Sequence, residues 1–320
     1  MPIAVDDALI GHNSSKVQNE AIIISFMIKI RVPATSANLG PGFDCLGLAL
    51  DIWNEVSFEE ADETTYRVTG EGAEKLNHRP KNLLTDSFKQ VYEISGKPLK
   101  GVNIQAHNNI LHSSGLGSSA AAIVAGIYGA NELLNKPLDS DTLLKLAAEI
   151  EGHPDNIAPA LLGGFVVSII TESEIITRRY EVPPLTVVIV KPDVRWRTQM
   201  ARSVLPKSVS RTDAIFNIGR TALVIDALRN GDLDLLQKVM DDRLHQSYRL
   251  KHIPAGIAAH KTGKQFGAAA LSGAGPSIIC FVSPENAEPT KEKIIDVFTK
   301  QGIESQGLIT TPSSLGAHKT

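Results

Sequence analysis

SSGLGSSAAAIVAG, residues 113 to 126, is a glycine-rich turn that runs straight into a helix. Gly115 and Gly117 bracket Leu116, so the backbone there can take φ values closed to other residues and can approach a ligand closely. Ser118 stands where a helix N-cap belongs. Ile123, Val124, Ile127, Leu133 and Leu134 then recur at helical spacing, until Asn135 and Pro137 stop the run. A turn of this kind aims free N–H groups and the positive end of the helix dipole at an anion. The Ser118 and Ser119 hydroxyls can bind phosphate oxygens or a Mg²⁺ carrying them. No Lys-Ser or Lys-Thr follows the glycines, and the spacing is not GxGxxG, so neither common phosphate-loop pattern applies.

Working outward, strands and helices alternate irregularly. MIKIRV (27–32) alternates like a strand, PATSANLGPGFDCLG (33–47) reads as a loop carrying Asn38 and Asp44, and LALDIWNEVSF (48–58) reads as the next strand. HRPKNLLTDSFKQVYEISG (78–96) is a loop and then a helix opened by Asn82, and GVNIQAH (101–107) is a strand leading into the glycine-rich turn. DSDTLLKLAAEIEG (139–152) reads as a helix with Asp139 or Ser140 at its N-cap and Gly152 as its stop. Glu149 and Glu151 lie two apart on it and project from different faces, so only one is expected to reach the phosphate site. GFVVSII (164–170) is a buried-looking strand. The polar stretch TESEIITRRYEVPP (171–184), ending in two prolines, suits a domain boundary. LTVVIVK (185–191) and SIICFV (277–282) read as strands, 212–242 as two helices broken at Gly231, and 290–302 as a last helix.

The 320 residues allow one large domain or two ordinary ones, and the 42% hydrophobic content supplies a core. A net charge of −3 without a long basic run argues against nucleic acid or an anionic membrane as partner. No apolar run is long enough to span a bilayer. The two cysteines, Cys45 and Cys280, make no disulfide framework; both read as small apolar packing, and a reducing cytoplasm is expected. Residues 1–26 carry a short apolar run, AIIISF, preceded by Lys16 alone as a cation; this argues against a secretory signal, and the segment is expected to be an N-terminal extension.

GLGSSAAA (115–122) resembles the nucleotide-binding motif of the GHMP kinases, the galacto-, homoserine, mevalonate and phosphomevalonate kinases. RVPATSANLGPGFDCLGLALD (31–51) resembles their first motif in the form found in the homoserine branch, and LSGAGPSIIC (271–280) their third. The resemblance runs from about Met27 to Thr320. It implies an α+β, two-domain fold: residues 27–180 as an ATP-binding domain with a left-handed βαβ unit, residues 181–320 as a ferredoxin-like domain, and the active site between them. It also implies ATP as co-substrate, Mg²⁺, L-homoserine as acceptor, and a homodimer.

Site residues follow from the same resemblance. For ATP they are Leu111, His112, Ser113, Ser114, Gly115, Leu116, Gly117, Ser118, Ser119, Ala120 and Ala121, with Asn82 toward the adenine. Leu111 departs from the motif, which usually begins with proline. Mg²⁺ is assigned to Ser119 and Glu149, the latter by alignment with the HPDN that follows; Ser118 and Glu151 stay open as alternatives. Homoserine is a zwitterion and needs a cation for its carboxylate and an anion for its ammonium. Thr198 and Arg202 of RTQMAR (197–202) and Arg249 of SYRLKHIP (247–254) are implied for the first. Asp44 helped by Asn38 is implied for the second, with His153 and Gly273 completing the pocket. Asn156, Glu149 and Arg202 are expected at the reaction centre. Asn156 stands where many GHMP kinases place an Asp base, with Asp155 expected to point elsewhere. An amide takes up no proton near neutral pH, so catalysis is expected to rest on positioning and electrostatics. Two alternatives are another GHMP kinase, of the mevalonate or diphosphocytidyl-methylerythritol type, and a nucleotide sensor that has lost catalysis.

Overall fold

The computed structural model describes residues 27–78 and 82–320; the expected extension, residues 1–26, lies outside them. The first half is built on strands β1 (Met27–Ala37), β2 (Leu46–Glu60) and β3 (Thr65–Gly70), helices α1 (Ala73–Leu76) and α2 (Leu83–Ile94), and strand β4 (Val102–Asn108). Helices α3 (Ser118–Leu133), α4 (Ser140–Glu151) and α5 (Pro154–Leu162) and strands β5 (Phe165–Ile170) and β6 (Ile175–Tyr180) follow. The β1 burial pattern starts with strict alternation and then becomes continuous, because the strand passes from the sheet edge to beneath α3 and α5. The fifteen-residue β2 is long enough to serve two neighbours: Glu55–Glu60 pair with β4, and Leu46–Leu48 pair with β5. β3 and β4 are parallel and are joined by α1 and α2, which makes the βαβ unit.

Helix α3 lies under this sheet and is buried nearly all round, as its run of Ala, Ile and Val requires. Two of its glycines let neighbours in. A Cβ at Gly129 would strike the Phe58 ring, and one at Gly126 the Leu84 carbonyl of α2. Phe58 stacks on Phe88 at 5.3 Å and Phe88 on Tyr92 at 5.2 Å, which ties sheet, α2 and α3 together.

The second half runs β7 (Thr186–Pro192), α6 (Thr198–Ser203), α7 (Arg211–Asn230), α8 (Leu233–Val239), α9 (Gln246–Leu250), α10 (Gly256–Gly263), β8 (Gly267–Leu271), β9 (Ile278–Val282), α11 (Ala287–Thr299), β10 (Ser305–Thr310) and β11 (His318–Lys319). Its sheet has the order β10-β7-β9-β8 with every pair antiparallel, the split βαβ arrangement of a ferredoxin-like domain. Helices α10 and α11 cover one face, where Cys280 is buried and its thiol is pushed up to about 12 by burial. On the other face Val187, Ile189 and Phe281 join the core of the first half.

Two local readings are corrected, and one strand of the second half crosses to the first. Residues 175–180, read within a boundary, form the strand β6, whose outward Arg178 and Arg179 masked its pairing with β5. The N-cap of α3 is Gly117, not Ser118: Gly117 sits at φ +67 and Ser118 is the first helical residue. β11 leaves the second half altogether and pairs with β1, while the Thr320 amide donates to the Lys29 carbonyl at 3.0 Å.

Candidate active site

The three motifs meet at one point. The Thr35 amide of β1 donates to the Leu116 carbonyl at 3.1 Å, and the Gly273 amide donates to the Ala37 carbonyl at 3.1 Å. Asn38 Nδ2 donates to the Gly273 carbonyl at 2.8 Å, and Ser272 Oγ donates to the Gly115 carbonyl at 2.8 Å. This packing explains the glycines of the turn. A Cβ at Gly115 would run into the Ser272 carbonyl, and one at Gly117 into the Thr35 hydroxyl. Both glycines also sit at positive φ, +79 and +67.

Around this junction lies a cavity of about 600 Å³, well within the size of a small-molecule site. At one end Tyr66, Asn82 and His112 line it. The Asn82 side chain accepts from the Leu84 amide at 3.0 Å, so it caps α2 while facing the cavity. In the middle run Ser113 to Gly115, Gly117 to Ser119, and Ala121. Because Gly117 caps α3 through its backbone, both serine side chains are free of capping duty. Three residues expected at the nucleotide are not in the lining. Leu111, Leu116 and Ala120 are buried, and being apolar they turn into the core beneath the loop. The residue at the usual motif proline thus contributes packing rather than a ligand contact.

Of the two glutamates near the end of α4, the structure brings the other one to the cavity. Glu149 is exposed on α4 and outside the cavity, whereas Glu151, the last residue of the helix, lines it and accepts a 2.7 Å hydrogen bond from Ser119 Oγ. The left-handed Gly152, φ +91, ends the helix here and turns the chain toward His153. Burial raises the Glu151 carboxyl above its ordinary value, with the Ser119 hydrogen bond acting in the opposite direction.

His153, Asp155 and Asn156 form the next wall. His153 is the extended N-cap of α5 and shares a 2.8 Å hydrogen bond with Asp155 Oδ1. That bond raises the His153 ring above its ordinary value, and burial lowers it in part. Asp155 does not point elsewhere: it is 2% exposed and borders the same cavity as Asn156. Asn156 Oδ1 accepts from Thr35 Oγ1 at 2.9 Å. Its Nδ2 donates to Asp155 Oδ1 at 3.4 Å, so neighbours fix the amide in orientation.

At the far end stand Thr198, Arg202, Asp44, Arg249 and Gly273. Arg202 and Asp44 form a two-pronged pair, Nη2 to Oδ1 at 2.9 Å and Nη1 to Oδ2 at 3.1 Å, both side chains more than a third exposed. Arg249 is only 2% exposed; burial pulls its guanidinium down to about 10, still cationic at neutral pH. Asn38 does less for a ligand than expected. Its Nδ2 is spent on Gly273 and its Oδ1 accepts from the Asp44 amide at 3.0 Å, so it shapes the loop that presents Asp44. Trp196, absent from the sequence reading, also lines the cavity and donates from Nε1 to the Ala274 carbonyl at 2.8 Å. A lone tryptophan between two arginines carries no pattern that would have singled it out.

A phosphate-binding helix start, an oxygen-donor pair beside it and a dipolar pocket beyond define a kinase of small hydroxylated molecules. Two family descriptions match this chain: GHMP kinases N terminal domain over residues 82–164, and GHMP kinases C terminal over residues 224–300. A homoserine kinase of Desulfitobacterium hafniense is 39% identical over 91% of this chain and 99% of its own length. One of Moorella thermoacetica is 44% identical over 90% of this chain and 98% of its own. The crystal structure of homoserine kinase from Cytophaga hutchinsonii superimposes with a TM-score of 0.82 at 31% identity, covering 92% of this chain and 97% of that one. The chain belongs to the GHMP kinase family, and within it to the homoserine kinases.

Proposed function

We propose that this protein transfers the γ-phosphoryl group of ATP to the side-chain hydroxyl of L-homoserine, and that the cavity described above is where it does so. The observation that carries the reading is the charge set at the far end: one carboxylate, Asp44, between two guanidinium groups, Arg202 and Arg249, opening on the same cavity as the head of α3. A zwitterionic amino acid matches that set, its carboxylate on the arginines and its ammonium on Asp44. Mevalonate and sugars lack an ammonium to set against Asp44.

Ser113, Gly115 and Gly117 to Ser119 offer backbone amides and hydroxyls to the phosphates, and the helix dipole adds to their attraction. Ser119 and Glu151 are the residues that would hold Mg²⁺. A hydroxyl and a half-buried carboxylate 2.7 Å apart are hard oxygen donors of the kind this ion takes. When bound, Mg²⁺ neutralises charge on the phosphates being separated. Asn156 stands where a base would act, but its amide can only hold the hydroxyl and not take its proton. Transfer therefore leans on alignment in a loose transition state that asks little of a base. Both cysteines are free, in keeping with a reducing cytoplasm, and among the described residues no helix is long and apolar enough to cross a membrane.

The test is ADP release with homoserine as sole acceptor, against mevalonate and a sugar, with and without Mg²⁺. Turnover on homoserine alone supports the reading; preference for either of the others overturns it. Nucleotide binding without turnover on any acceptor favours the sensor alternative.

A further inference from the structure

We propose that His245 is a positioning residue for substrate binding: as a neutral ring it locks the Arg249 guanidinium to the loop that carries Asp44. The inference rests on the pocket assignment above and adds to it a residue outside that cavity's lining. His245 is completely buried at the N-cap of α9. Its Nε2 lies 2.8 Å from the Gly40 carbonyl, which can only accept, so Nε2 carries the hydrogen. Its Nδ1 lies 3.2 Å from Arg249 Nη1, which can only donate, so Nδ1 is bare. Partners on both sides thus fix one tautomer of an uncharged imidazole.

The groups facing the ring agree with that state. Asp242 Oδ2 is 3.7 Å from Nε2, but its oxygens already accept the amides of Leu244, His245 and Gln246 at 2.9, 2.8 and 2.6 Å and Asn217 Nδ2 at 2.7 Å. Burial pulls His245 down, Asp242 pushes it partly back, and Arg249 adds to the effect of burial; Asp44 lies further off and pushes up. A second ring proton would confront the Arg249 N–H directly.

The ring also stacks on Phe43 at 5.2 Å, and the Arg249 guanidinium lies 5.1 Å from the same phenyl. Arg249 is further held by Nε to the Ala201 carbonyl at 3.1 Å and by Nη1 to the Gly273 carbonyl at 3.3 Å. His245 therefore ties residues 38–44 before β2 to α9, and through Arg249 to the turn after β8. What it secures is the registry between the cation and the carboxylate of the pocket.

The experiment compares His245→Phe and His245→Gln with the unaltered protein, measuring the KM for homoserine, the KM for ATP, kcat, and the affinity for a non-hydrolysable ATP analogue. Phe keeps the stack and loses both hydrogen bonds. Gln offers one donor and one acceptor on a flexible stem. Expected for Phe is a rise of about tenfold or more in the homoserine KM, with the ATP KM and analogue affinity within about twofold. Expected for Gln is partial recovery. An unchanged homoserine KM in the Phe variant overturns the proposal. So does a parallel loss of nucleotide and homoserine affinity in both variants, which would leave His245 a folding role alone. Absence of ADP release by the unaltered protein with homoserine would instead overturn the reaction reading, and this proposal with it.

Discussion

Replacing Arg202 by Gln separates the two things its contact with Asp44 can do. The pair is two-pronged, at 2.9 and 3.1 Å, yet Arg202 is 40% and Asp44 36% exposed in the side chain. An ion pair so open to water is worth roughly 0.2–1 kcal/mol to the fold. A charge-assisted contact with a substrate carboxylate is worth about 1.5–3 kcal/mol. At 1.36 kcal/mol per decade, that corresponds to a rise of roughly 10- to 150-fold in the homoserine KM. Arg202→Gln should therefore lower the melting temperature by no more than a few degrees while weakening homoserine by an order of magnitude or more. ATP should be untouched, since Arg202 stands at the opposite end of the cavity from Asn82 and Tyr66. The assay is coupled ADP release at varied homoserine and saturating ATP, alongside a thermal melt. An unchanged homoserine KM, or a KM for ATP that rises equally, would refute the argument; a large drop in melting temperature would show that the pair serves the fold.

Three more expectations follow from the site. Glu151→Gln should cut kcat by about 100-fold or more and raise the Mg²⁺ concentration needed for half-maximal rate, whereas exposed Glu149→Gln should stay within about twofold of the unaltered enzyme; the reverse ranking would return the metal to Glu149. His153 is raised above 6.5 in the folded protein, chiefly by Asp155, so its pair stabilises fully below about pH 6.5 and fades as the pH climbs through the raised value; urea midpoints of the unaltered protein and His153→Asn should converge over that alkaline-going window, and parallel curves would contradict it. Gly152→Ala meets open space and should cost only the strain of its positive φ, about 1–2 kcal/mol, with the ATP KM unchanged. Gly117→Ala also meets the Thr35 hydroxyl and should raise the ATP KM by about tenfold or more; equal effects of the two would refute the packing argument.

What could be read from the sequence was what repeats or clusters. β1, α3, β7 and α11 announce themselves by period, and the three motifs announce their meeting by glycine. β6 did not, because a strand with one neighbour and a charged outer face breaks the alternation that marks strands. Glu149 and Glu151 lie two apart on α4 and so diverge by about 200°; alignment with the later HPDN favoured Glu149, whereas only Glu151 borders the cavity. Asp155 was misplaced for a similar reason: as the second residue of α5 it follows an extended His153, so adjacent side chains both border the cavity. His245, Gln246 and Asp242 are polar residues without a periodic signature, and their burial arises from elements distant in the chain.

The pairing of β11 with β1 has a bearing on how the molecule comes into being. Residues 318 and 319 border residues 30 and 31, so the outermost ladder of the nucleotide-side sheet is sealed by a segment made after the whole of the ferredoxin-like half. Until then β1 presents a bare margin, and the ferredoxin-like half must be made before that strand can swing back. The two halves are therefore not beads that ripen in turn but a clasp, with His318 and Lys319 as its catch.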